Sequence, residues 1–100
     1  MTDYTGKKVI IRADRAGVFF GTLAEHDKVN GVVELHKCRR IHYWDGAASL
    51  SQMANDGVKN PKACHFSQVV ESMQIAGVIE VLPCTEAAAK CIEEVYVWQC

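Results

Sequence analysis

The chain of 100 residues is 49% apolar and 23% charged, with a formal net charge of −1 and an isoelectric point near 6.4. That length and balance suit one hydrophobic core and exclude disorder, a collagen-like repeat and a second domain. The near-neutral charge argues against nonspecific binding to DNA or RNA, where a basic face dominates affinity.

Lys7-Lys8-Val9-Ile10-Ile11-Arg12 is a β-branched run opened by polar residues and reads as a first strand. Asp14-Arg15-Ala16-Gly17 is a turn, and Val18 to Ala24 follows as a second strand, antiparallel to the first. Gly21 inside it marks a bulge or a close backbone approach. The polar segment from Glu25 ends in Asn30-Gly31, a strong turn signal, because both residues tolerate positive φ. In the strand Val32 to Cys38, alternation puts Val33, Leu35 and Lys37 on one face and Val32, Glu34 and His36 on the other. Ile41 to Trp44 extends or re-enters the sheet, and Asp45-Gly46 breaks it.

Ser49 and Gln52 fit a capping box and Gly57 a left-handed stop, which predicts a short helix over 49–56. Val58 to Lys62 is loop around Pro61. One or two strands are expected within 63–74, and Ala76 to Leu82 is a further strand stopped by Pro83. Thr85 is a suitable N-cap, and Ala88, Cys91, Ile92 and Val95 form one apolar stripe, which predicts a helix over 86–94. The tail Val95 to Trp98 is expected to add an edge strand, either to its own sheet or to that of a neighbouring subunit. The fold class is therefore α+β: a small antiparallel β-sheet with a short middle helix and a C-terminal helix, in a single domain over 1–100.

Met1 to Gly6 has neither the charged start nor the apolar run of a signal peptide, and no apolar run approaches the roughly 18 residues of a membrane span. A cytoplasmic protein with no membrane partner is expected. Cys38, Cys64, Cys84, Cys91 and Cys100 are odd in number and include no C-x-x-C pair, so they read as free thiols.

The chemistry concentrates in Arg39-Arg40-Ile41-His42-Tyr43-Trp44-Asp45. Guanidinium groups suit phosphate or carboxylate, and Tyr and Trp present planar faces for stacking. Arg39 and Arg40 are candidates to hold phosphates, Tyr43 and Trp44 to stack a base, and His42 and Asp45 to read base or ribose edges. The competing reading is structural, with the rings anchoring a core edge and the arginines in solvent. In a regular strand Arg40, His42 and Trp44 share one face and Arg39, Ile41 and Tyr43 the other. Both arginines then line one pocket only through a bulge or an oligomer interface. Arg12 and Arg15 are further cations beside the first turn, where most such residues are solvated. His36, Cys38, His42, Cys64 and His65 are ligand types without the spacing of a zinc site. Neither an activated nucleophile nor a phosphate loop can be assembled, so no enzyme, cofactor or metal is expected.

Arg39-Arg40-Ile41-His42-Tyr43-Trp44-Asp45-Gly46-Ala47-Ala48-Ser49-Leu50, Gly57-Val58-Lys59-Asn60-Pro61 with Cys64 and Phe66, Val78 to Thr85, and Val95-x-Val97-Trp98 together resemble a family of small, largely uncharacterised phage and prophage proteins. The chain departs from the pattern at His42, often a larger aromatic there, and at Tyr96, often a proline. The resemblance implies a phage protein in an infected bacterial host cell. By analogy of context it suggests a counter-defence factor, a homo-oligomeric molecular sponge that sequesters a nucleotide-derived signal such as a cyclic oligonucleotide or an ADP-ribose derivative without cleaving it. The alternative is a protein-interaction module that inhibits a host defence protein, with the same aromatic-Arg cluster as its hot spot. A third is a small hydrolase using Cys38 or a histidine.

Overall fold

A computed structural model describes residues 3–98. Its elements in chain order are strands β1 (Lys8–Ala13), β2 (Gly17–Asp27) and β3 (Val32–Tyr43), helix α1 (Leu50–Asp56), a 3₁₀ turn (Pro61–Ala63), strands β4 (His65–Phe66), β5 (Val70–Ile75) and β6 (Val78–Pro83), and helix α2 (Glu86–Glu94). The fold is α+β: an antiparallel six-stranded sheet with one helix in mid-chain and one near the C-terminus. The helix signals operate as expected. The Ser49 hydroxyl accepts from the Gln52 N–H at 3.1 Å, and the Thr85 hydroxyl accepts from the Ala88 N–H at 3.1 Å. At the Asn30-Gly31 turn the Asp27 carboxylate accepts from the Asn30 side-chain amide and from the backbone of Asn30 and Val29, which lowers its pKa.

The strands run in the order β4-β3-β2-β1-β6, with β5 also paired to β3. β5 and β6 are separated by Ala76 and Gly77 alone and do not pair with each other. This one segment lies against β3 at its start and against β1 at its end, so it curls the sheet into a partly closed barrel. Two cores follow. The inner one gathers Val9, Ile11, Phe19, Leu23, Val33, Leu35, Cys38 and Ile75. The outer one places Ile10, Phe20, Ile41 and Phe66 beneath Met53 and Ala54 of α1 and Ala89 and Ile92 of α2. Alternate residues of β1 and of β2 serve the two cores, as strand periodicity requires.

β3 is longer and less regular than its sequence suggests. It runs unbroken through Arg39 and Arg40, and Lys37 adopts φ 51 within it. That residue takes up the irregularity between the Thr22↔His36 and Phe20↔Arg39 pairs, so Cys38, and not the expected Lys37, continues the buried row of Val33 and Leu35. Gly21 sits opposite. A Cβ there would lie 3.1 Å from the His36 carbonyl oxygen and 3.2 Å from the Cys38 Cα, which is the close approach expected at this glycine. The tail joins its own sheet: Val97 bridges Phe66 in parallel, and the Trp98 N–H donates to the Phe66 carbonyl at 3.0 Å.

Candidate functional site: an aromatic edge and an open groove

Arg39 and Arg40 are adjacent on β3 and therefore point to opposite sides of the sheet. The Arg39 guanidinium lies over the Phe66 ring of the outer core, and that of Arg40 over the Phe19 ring of the inner core. Arg39 is 2% exposed. Its Nε donates to the Ser67 carbonyl at 2.8 Å, Nη1 to those of Ile92 and Val95 at 2.9 and 2.7 Å, and Nη2 to that of Tyr96 at 3.2 Å. Three of these carbonyls belong to the end of α2 and the residues after it, where the helix dipole is negative. Burial lowers the Arg39 pKa, yet a guanidinium stays charged in proteins. The expected phosphate ligand is thus a buried staple, with no donor face directed to a ligand. Arg40 is exposed, and among the described residues it has no carboxylate partner.

The aromatic residues divide as well. Tyr43 stands 5.5 Å from His65 between ring centroids, His65 stacks on Trp98 at 4.4 Å with 13° between planes, and His42 lies 6.0 Å from Trp98. These four rings form one edge of the molecule, beside Tyr96, whose hydroxyl donates to the Lys62 carbonyl. His65 and Trp98 were not legible as members, because only the β3–β4 pairing and the tail bridge bring them to His42 and Tyr43. Trp44 goes elsewhere. Its Nε1–H donates to the Ala47 carbonyl at 3.2 Å and its ring packs on the outer core. The Asp45 backbone is fastened to Cys64, N–H to sulfur at 3.4 Å. The six expected ligand residues therefore do not line one pocket.

Trp44 instead borders an open groove of about 350 Å³ with Arg12, Val18, Ser49, Leu50 and Glu80. Arg12 Nη1 donates to Glu80 Oε1 at 3.0 Å. No spacing in the sequence signals this meeting, since it depends on the β1–β6 register.

The four described cysteines are free thiols, and Cys100 lies outside the described residues. Burial pushes the Cys38 thiol up to about 11, against a smaller opposing effect of Arg40. Burial, with the Glu93 charge, pushes Cys84 up to about 12. Cys38 is accordingly a protonated core residue at neutral pH, 3.8 Å from the Met73 sulfur. His36 pairs with Glu34 at 2.9 Å, and among the described residues no three His, Cys, Asp or Glu side chains gather as metal ligands. A testable consequence concerns alkaline pH. A thiol whose folded pKa is raised contributes stability that is complete below the unfolded value and is lost as pH rises through the folded one. Urea denaturation of the protein should lose roughly 1 kcal/mol per pH unit between pH 9 and 11 relative to a Cys38→Ala variant measured alongside.

No described helix is long and apolar enough to cross a membrane. No curated protein matches the chain. Residues 6–92 match the family described as Domain of unknown function (DUF6948), a span that runs from just before β1 into the last turn of α2 and leaves the Trp98 tail outside. With the whole sheet, α1 and nearly all of α2 inside the match, the chain belongs to the DUF6948 family.

Proposed function

We propose that the protein is a phage-encoded counter-defence factor that works by binding, and that it engages a host defence protein through the edge formed by His42, Tyr43, His65 and Trp98. The observation that carries this reading is a half-buried His65–Trp98 stack with an exposed rim: Tyr43 is 51% exposed beside the pair, with Tyr96 at 48% and Val97 at 39%. Tyrosine and tryptophan on an open, partly apolar surface are the residues that dominate protein–protein hot spots. A nucleotide held jointly by Arg39, Arg40 and these rings is the poorer reading, because Arg39 is enclosed and Arg40 lies over the inner core. The phage setting rests on the sequence resemblance.

The test is affinity capture from infected cells by the protein and by a Tyr43→Ala variant at equal concentration, followed by titration of the captured protein in pure form. Among the described residues the exposed Tyr43 side chain makes no hydrogen bond, so the variant should melt with the parent. Its affinity should fall at least tenfold, about 1.4 kcal/mol or more. Equal affinity of the two proteins removes the edge from the interface.

A further inference from the structure

We propose that the groove between Trp44 and Arg12 is a second binding site, separate from the aromatic edge, that takes a nucleoside monophosphate. It arises where the helices stop covering the sheet. On the outer face Ile10 and Phe20 are buried in the core that α1 and α2 cover, whereas one step further along the strands Arg12 and Glu80 are exposed and Val18 is only partly buried at the margin of that core. Register makes these three a continuous strip: Arg12 is opposite Val18 on one side and opposite Glu80 on the other. Trp44 and the first turn of α1 then form the far wall.

Each wall offers a different chemistry. The Trp44 ring is fixed in place by its bond to the Ala47 carbonyl, which leaves an indole face for a planar heterocycle. Val18 and Leu50 give an apolar floor. The Ser49 oxygen already accepts from the Gln52 N–H, so the hydroxyl proton remains free to donate. Arg12 uses Nη1 on Glu80 Oε1, and its other guanidinium nitrogens are available to an anion. The second Glu80 oxygen can accept from a ribose hydroxyl. A ring, a diol and one anionic group arranged in a volume of about 350 Å³ describe a nucleotide. An aromatic peptide side chain would leave Glu80 Oε2 and the remaining Arg12 nitrogens unused, and a neutral sugar would bring no anion to those nitrogens.

The test uses the full chain carrying Trp98→Phe, so that Trp44 is its one indole. Adenosine 5′-monophosphate, adenosine and glucose are titrated separately, with Trp fluorescence and amide NMR shifts as readouts. The expected result is saturable quenching by the monophosphate, with shifts at Val18, Leu50 and Glu80. Adenosine should bind about tenfold more weakly, and Arg12→Gln should weaken the monophosphate by a similar factor. Arg12 and Glu80 form a surface pair, so that variant keeps the fold. Adenosine binding as tightly as the monophosphate, glucose shifting these amides in its place, or no saturable change up to about 10 mM overturns the site. None of these readouts depends on a protein partner.

Discussion

Replacing Arg39 with methionine is expected to lower the unfolding free energy by about 3–5 kcal/mol. The loss comes from carbonyls, not from a missing charge pair. Ser67, Ile92, Val95 and Tyr96 would lose a common donor where Arg39 is almost wholly enclosed, and the end of α2 would lose the cation that faces its dipole. For a domain of this size the melting temperature should fall by roughly 15 °C or more. Arg39→Lys should restore a minor part, since one ammonium cannot span from Ser67 to Tyr96 as a planar fork does. Arg40→Ala is the informative control: that side chain is exposed, and its removal should cost no more than about 1 kcal/mol. Thermal and urea denaturation of the three variants decide the matter. If Arg39→Met melts with the parent, Arg39 does not fasten α2 and the tail to the sheet.

Gly46→Ala should cost about 2–4 kcal/mol, by two effects that add. Gly46 has φ +93, which L side chains rarely adopt. A Cβ there would also stand 2.5 Å from the Lys59 backbone nitrogen and 2.6 Å from that of Asn60. Neither neighbour is a flexible side-chain end. Both belong to backbone held by the Lys59 N–H to Gly46 carbonyl bond at 3.2 Å. Relief therefore requires the loop between β3 and α1 to separate from the segment before the 3₁₀ turn. That movement would disturb Trp44 and Cys64 together, and a urea midpoint unchanged by the substitution would show that the two segments are not in register.

What could be read from the sequence was what local chemistry decides. Ser49, Thr85, Asn30-Gly31 and Gly21 each act within a few residues or through a missing side chain, and all behave as their residue types require. Lys37 was misleading because alternation alone cannot reveal a bulge, and one bulge exchanges the two faces beyond it. Arg39 was misleading for a different reason. A neighbouring pair of arginines reads as surface unless one knows that the carbonyls at the end of a distant helix converge on one of them. The site divided along the same line. Tyr43 and Trp44 stood out as aromatic residues, but their partners His65, Trp98, Arg12 and Glu80 are supplied by strand pairing across the fold.

The segment that curls the sheet also bears on how the chain folds. β1 is made first, yet its Val9 faces Pro83 and its Ile11 faces Val81. β3 meets its second long neighbour only when β5 follows, and β5 leads straight into β6. On the ribosome the β1–β2–β3 meander must wait with one side of β1 unpaired until nearly the whole chain has emerged. Contacts of such sequence separation slow two-state folding. The bend at Ala76-Gly77 is then the late step that closes both margins of the meander at once, and the native state forms as a unit instead of strand by strand.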